Sequence, residues 1–474
     1  MAGLMRRAAD GGARGRMRLR ATSDGAQATH TRRARLWRWG LASYALGVVG
    51  FYLVMLLRFR REARARAPLV AQTALPPQSL SAASSSSIPL LTFATHAPDG
   101  DQPATSAASS AISNATPDAS PAPTGPQATP PPPKVSVIVP ARDEQRDIWG
   151  CVATLLAQDY PNFEVIVVDD ASTDDTPRLL DKLLATPRAS GGRLRVVHVA
   201  SLPDGWAGKP HALHVGATAA TGGWLLFTDA DTRHAPSALR IALERAINDH
   251  ADLFSILSGQ DLPDFWSRVI MPIAAMGITA MYPPNAINNP LSDTALANGQ
   301  FLLIRRAMYD AVGGYARPEL RATLVDDRDL ALTVKRAGGR LELLDGQSLV
   351  HTRMYRNLRE AWNGWGKNAY LGSRGGLFFF PLLIVGLLLV GVAPFALMLA
   401  GLAWRRPAPT LAGAFAVAAA LAYRMPTDRS LGIPARYAWA HPLGAAIFTG
   451  ILARSYWRRL TGWSVPWRGR AYAL

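Results

Sequence analysis

The spacing of apolar and polar positions divides this chain into four stretches. Trp37 to Leu57 is one apolar run with arginine clusters at both ends and Trp37, Trp39 and Tyr52 near its edges. About 20 apolar residues span a bilayer, and aromatic side chains favour its interfaces. A transmembrane helix over residues 36–58 is therefore predicted. The run is too long for a signal-peptide core and shows no small-residue cleavage site. From Ala67 to Pro133 the pattern dissolves into Ala, Ser, Thr and Pro, a low-complexity linker. As a flexible coil it would reach on the order of 45 Å, tethering the next domain without orienting it.

At Lys134 strand-like and helix-like runs begin to alternate. Val135 to Val139 is a continuous apolar and β-branched run, as expected for a strand covered on both faces. A helix carrying Val152, Leu155 and Leu156 follows and stops at Tyr160-Pro161. Phe163 to Val168, Arg195 to Val199 and Trp224 to Phe227 read as further strands, and Lys209 to Ala220 as a helix. Crossover spacing of this kind predicts an α/β domain over residues 134–372, with a mostly parallel sheet and ligands at the carboxyl ends of its strands. Within it, Val269 to Tyr282 is apolar but too short to span; an interfacial helix and a buried core helix are the two readings.

Residues 376–456 form a C-terminal membrane region of two to three spans. Leu377 to Leu402 is a clear span, Pro409 to Tyr423 is short and Ala-rich, and Tyr437 to Ala453 is a third candidate. Residues 457–474 are a basic aromatic tail, and Trp439, Trp457, Trp463 and Trp467 read as interfacial anchors. Three complete spans would carry Arg454, Arg458, Arg459, Arg468 and Arg470 away from the side of the α/β domain, against the usual distribution of positive charge. A re-entrant Pro409–Tyr423 segment removes the conflict.

The net charge of +17 is concentrated beside the apolar runs. Residues 1–35 are rich in Arg, Ala and Gly and read as disordered. Charge in these places points to anionic lipid headgroups and away from a nucleic-acid partner. Cys151 is the only cysteine, which excludes an intrachain disulfide.

Candidate chemistry starts where the fourth strand ends in Thr228-Asp229-Ala230-Asp231. Residues i and i+2 of an extended segment share a face, so both carboxylates can aim at one point. A hard divalent cation, Mg²⁺ or Mn²⁺, is suited to such oxygens and leaves positions for phosphate. The pair resembles the Asp-X-Asp motif of nucleotide-sugar glycosyltransferases. Around it stand Val137 to Glu144, Gln158 to Pro161, Val167 to Thr176, Gly208-Lys209, Asn298-Gly299-Gln300, Gly313-Gly314-Tyr315 and Val325 to Leu330. This ordered set, over about residues 134–372, resembles family 2 glycosyltransferases, and its C-terminal part the hopanoid- and carotenoid-associated membrane subgroup.

The resemblance implies a GT-A fold and inverting transfer from a nucleotide-sugar, in the first instance a UDP-sugar, to a polyprenoid-type lipid. It implies a bacterial cytoplasmic (inner) membrane location, with the catalytic domain facing the cytoplasm. Ala141, Arg142, Glu144, Asp170, Ser172, Lys209 and Asp229 are implied in nucleotide binding, Asp231 and Asp229 in metal binding, with His351 as a further metal ligand. Asp327, in the pattern Asp326-Asp327-Arg328-Asp329-Leu330, takes the place of the general base. Asn298, Gly299, Asp326, Trp362 and Trp365 fall on the acceptor side. Each has a plainer reading: an acidic turn at Asp170, a packed histidine at 351, membrane anchors at Trp362 and Trp365, and acids leading into a helix near Leu330, with Asp329 as its cap. His211 and His214, without a third ligand, do not make a zinc site. A polysaccharide synthase is the enzymatic rival, but its Arg-Trp pair is absent, since Arg359 and Trp362 are not adjacent. A non-catalytic nucleotide-binding scaffold is the other.

Overall fold

The computed structural model describes residues 35–62, 69, 131–369 and 376–472. The expected disordered N-terminus and linker fall almost wholly outside them. Helix α1 (Arg35–Glu62) comes first. The α/β domain then runs β1 (Val135–Ala141), α2 (Ile148–Leu155), β2 (Phe163–Asp170), α3 (Thr176–Leu184), β3 (Leu194–Val199), α4 (Gly208–Ala219), β4 (Trp224–Phe227), β5 (Thr232–His234), α5 (Ala238–Asn248), β6 (Leu253–Leu257) and β7 (Gly259–Gln260). It continues with α6 (Phe265–Met281), α7 (Pro284–Ile287), β8 (Leu302–Arg305), α8 (Arg306–Ala311), α9 (Pro318–Arg321), α10 (Asp326–Arg336), β9 (Leu341–Asp345), β10 (Val350–Thr352) and α11 (Leu358–Asn368).

The main sheet has the order β3-β2-β1-β4-β8-β6-β9, with β8 antiparallel to both neighbours and the other pairs parallel. Strand alternation divides its side chains between two cores. Val135, Val137, Val139, Val165 and Val167 pack with α2, α3 and α5 on one face. Ile138, Ile166 and Val168 pack with α4 and α10 on the other. Each such burial contributes about 1.5–3 kcal/mol. That explains why Val165 to Val168 of β2 are fully buried, in a strand whose Glu164, Asp169 and Asp170 are buried as well. The polar ends of β1, β2 and β4 then emerge together at one edge. A small sheet, β5-β10-β7, stands beside it.

Beyond the domain, α12 (Gly376–Leu387) passes through a π-helical turn at Leu388–Val392 into α13 (Ala393–Ala403). Helices α14 (Pro407–Ser430) and α15 (His441–Thr461) and the hairpin β11 (Val465–Trp467) and β12 (Arg470–Tyr472) follow. A π-turn leaves carbonyls without helical partners, which is costly in lipid. Here the hydroxyls of Tyr44 and Tyr52 on α1 donate to the carbonyls of Leu389 and Val390, at 2.6 and 3.0 Å.

Among the described residues, three helices are long and apolar enough to cross a membrane: Arg35–Glu62, Phe379–Ala403 and Pro407–Ser430. The segment expected to be re-entrant is thus part of a full-length helix. The expected third C-terminal span lies in α15, which is interrupted by His441, Arg454, Arg458 and Arg459 and is not among the three. Instead α15 packs along α6, α11 and α12. Helix α6 is buried from Val269 to Ala274, as a core helix would be; further along, Ile278 and Met281 pack against the core beneath α4 and α10, while Met276 packs against the cluster of α1, α13 and α14. Helices α13 and α14 pack as a pair, and Arg424 of α14 donates to the Arg268 carbonyl of α6 at 3.1 Å, so the pair brings the chain back to the α/β domain, whose loops the basic tail then touches.

Candidate active site

The loops after β1 and β2 interlock through their own polar side chains. Asp143 N–H donates to Ser172 Oγ at 3.0 Å, and Glu144 N–H to Thr176 Oγ1 at 2.8 Å. Arg142 donates to the carbonyls of Asp170 and Ala171, at 2.5 and 3.1 Å. Asp174 accepts from Thr176 N–H at 2.9 Å and so supports the start of α3. Asp143 and Ala171 hold left-handed backbone angles, φ 52° and 53°, a strain tolerated because these bonds over-determine the loops. Ala141, Arg142, Glu144, Asp170 and Ser172 thus line one edge.

The second group gathers around Lys209, at the start of α4. Its Nζ lies 2.8 Å from Asp229 Oδ1 and 3.2 Å from Asp326 Oδ2, joining the β4 turn to the start of α10. Asp327 beside it accepts from Gly299 N–H at 2.9 Å and from Arg328 N–H at 2.7 Å. A Cβ on Gly299 would stand 3.1 Å from Lys209 Nζ and 3.3 Å from Asp327 Oδ2, so glycine is what admits this approach. The Asp229–Asp231 pair occupies the turn between β4 and β5, not a strand end. Asp231 Oδ1 is buried and accepts no hydrogen bond.

Burial first, then the neighbouring Asp229 and Asp147 carboxylates, push the Asp231 carboxyl up to about 7. Burial and Asp326 push Asp327 up to about 6, against Lys209 and the two N–H donors. Burial works against the Lys209 ammonium, but Asp229, Asp326 and Asp327 outweigh it and hold its pKa well above the usual value. Lys367 of α11 is driven down to about 8 by burial and by Lys209. The orphaned Asp231 oxygen, with Asp229 two residues away, has the chemistry that a hard divalent cation requires of a ligand.

His351 does not join this group. On β10, Thr352 faces Asp231, whose carbonyl accepts from Thr352 Oγ1 at 3.5 Å, so the preceding side chain points to the opposite face. His351 packs against Gly259 instead, and among the described residues no three His, Cys, Asp or Glu side chains form a metal cluster. The side chain of Asn298 is spent on the end of β6, donating to the Ile256 carbonyl at 3.0 Å and to Ser258 Oγ at 3.2 Å. Helix α10 begins at Asp326, four residues before the expected start, so its acids lie inside the first turn. Asp329 is no cap: it pairs with Arg328 and accepts from Thr323.

Trp362 rests on Gly450 of α15, and Trp365 packs its ring against Tyr355 and Phe448, with centroids 6.2 and 5.8 Å away. Both therefore brace α11 against a neighbouring helix. Trp365 also lines a cleft with Ile270 and Met271 of α6, and with Asp261, Ser267 and Ala361.

Two residues escaped the sequence reading. Arg470 grips both oxygens of Asp170, and Arg468 pairs with Glu144 at 2.6 Å. Their only sequence signal was Arg468-Gly469, a weak two-residue turn in a segment taken for a membrane-anchoring tail.

Residues 136–313 match the model of Glycosyl transferase family 2. The chain is 31% identical over 226 residues to beta-monoglucosyldiacylglycerol synthase of Synechocystis, covering 47% of this chain but 44% of that protein. It is 25% identical over 354 residues to 4,4'-diaponeurosporenoate glycosyltransferase of Staphylococcus aureus, covering 72% and 88%. Among solved structures, the mannosyltransferase PcManGT of Pyrobaculum calidifontis, in complex with GDP-Man and Mn²⁺, aligns at TM-score 0.40 and 21% identity over 69% of this chain and 87% of that one. Staphylococcus aureus TarS 1-349 with UDP aligns at TM-score 0.36 and 16% identity over 72% and 96%. The family match spans β1 to β8 and the mostly parallel sheet on which the acids converge, so residues 136–313 form a glycosyltransferase family 2 domain, in a chain whose described residues include three helices long and apolar enough to cross a membrane.

Proposed function

We propose that the enzyme transfers a sugar from a UDP-sugar to a hydroxyl oxygen of a membrane-dissolved, polyprenoid-type lipid, inverting the anomeric centre. The observation that carries this reading is the convergence of Asp229, Asp326 and Asp327 on Lys209, beside Asp231, whose Oδ1 is buried, and close to Lys367 of α11. Asp327 receives the acceptor proton: raised to about 6, it is ionised at neutral pH yet basic enough to serve. Lys209 places positive charge where the diphosphate departs, and Asp170, with the loop after β1, holds the nucleoside. Asp231 and Asp229 would hold Mg²⁺ or Mn²⁺, which when bound neutralises charge on the leaving diphosphate.

A lipid acceptor is supported by the apolar side chains of Ile270, Met271 and Trp365, which meet between α6 and α11, and by the lipid and carotenoid names of the relatives. The test is incubation of the full-length protein in bilayers with radiolabelled UDP-sugars and isoprenoid lipids. Label extracted with the lipid supports the reading. Label in a water-soluble polymer, or no transfer to any lipid, overturns it.

A further inference from the structure

We propose that the C-terminal hairpin is a wall of the donor site and that Arg470 is a positioning residue, holding Asp170 toward the nucleobase. This rests on the donor reading above. Asp170 keeps only 4% of its side-chain surface, and a carboxylate so withdrawn from water needs a counter-charge. Arg470 supplies it through a two-pronged contact, one guanidinium nitrogen to each carboxylate oxygen. Such a fork fixes the plane of the carboxylate as well as its charge.

The contact is one of four. Arg468 bonds Glu144 at 2.6 Å and the Asp143 carbonyl at 2.5 Å, while Arg142 Nε donates back to the Arg468 carbonyl at 2.8 Å. Arg142, Glu144 and Asp170, three residues assigned to the nucleotide, therefore each hold the hairpin. The hairpin turns in two residues, Arg468 and Gly469, both left-handed at φ 49° and 75°. An isolated two-stranded hairpin is marginal in water, and a left-handed arginine is strained. The arginine and carboxylate contacts are what offset this, so the hairpin is ordered by the donor loops and orders them in turn. The close fit extends to Gly208, where a Cβ would collide with both Asp170 and Arg470. Because α15 ends at Thr461, only a few residues before the hairpin, the same segment couples the membrane helices to the nucleotide pocket.

Asp170 held in this way accepts the imide N–H of uracil, which cytosine lacks. The experiment measures UDP and CDP binding calorimetrically to the full-length protein in lipid nanodiscs. Arg470→Ala is expected to weaken UDP binding about tenfold and to shrink the preference for UDP over CDP. Arg470→Lys, which keeps the charge but not the fork, should recover only part of the loss, and it carries the test if the alanine variant does not fold. In an Asp170→Asn background, Arg470→Ala should change UDP binding less than about twofold. Unchanged binding in Arg470→Ala overturns the proposal, as does an equal loss in the Asp170→Asn background. Tighter binding also overturns it, because the hairpin would then be obstructing the site. A wild-type protein that binds no UDP refutes the donor reading itself, a result distinct from all of these.

Discussion

Replacing Lys209 by methionine removes the one ammonium that joins Asp229 and Asp326 while keeping most of the side-chain volume. Coulomb's law at an effective dielectric near 20 gives about 6 and 5 kcal/mol for charges 2.8 and 3.2 Å apart. Solvent reaches 36% of the lysine side chain, so screening and desolvation leave much less. Hydrogen bonds to charged groups contribute about 1.5–3 kcal/mol net, and this exposure favours a loss of about 2 kcal/mol. For a domain of this size that lowers Tm by about 4–8 °C. Differential scanning calorimetry in nanodiscs reads it, and Mn²⁺ should restore part of the loss by replacing the missing positive charge. The pH profile gives a second, independent reading. Asp327 must be ionised to accept a proton, so wild-type kcat/KM falls as pH drops through about 6. Lys209 favours the ionised form, so its removal must shift that acidic limb to higher pH. A Tm within 1 °C of wild type, with an unmoved acidic limb, would refute the role given to Lys209.

Further outcomes follow from other contacts. Arg424 and Asp428 form a fully buried pair at 2.6 Å on α14, so Asp428→Leu alone should cost about 3–5 kcal/mol, while Arg424→Met with Asp428→Leu should recover most of it; detergent-resistant melting checks this. Gly299→Ala introduces a methyl 3.1 Å from Lys209 Nζ and 3.3 Å from Asp327, and should lower kcat about tenfold with UDP affinity little changed, as steady-state kinetics and calorimetry would show. Trp365→Ala opens the cleft between α6 and α11 and should raise KM for the lipid acceptor more than KM for the UDP-sugar, measured by varying each substrate in turn.

The parallel sheet was legible because β1 and β2 are near-continuous β-branched runs, a signal that only a strand covered on both faces produces. The acids were legible because Asp229, Asp231 and Asp327 stand at the ends of such runs or open a helix. Other positions were decided by tertiary contacts that no local pattern encodes. His351 has a ligand's chemistry but lies on the wrong face of β10, a matter of one residue in register. Trp362 and Trp365 keep the predicted i, i+3 spacing, yet what they brace is α15, almost a hundred residues further along. Arg468 and Arg470 reach the loops after β1 and β2 from more than 300 positions away in sequence. Short polar ends of a chain carry almost no periodicity, so the hairpin looked like a tail.

Asp327→Asn in the full-length enzyme, assayed both for sugar transfer to lipid and for UDP affinity, bears most directly on the proposed chemistry. The shape of the side chain is conserved and its basicity is lost, so transfer should fall by about 10²–10⁴-fold while the Kd for UDP stays within about threefold. Transfer near the wild-type rate would show that the acceptor proton goes elsewhere and that the gathered acids are not arranged around this reaction.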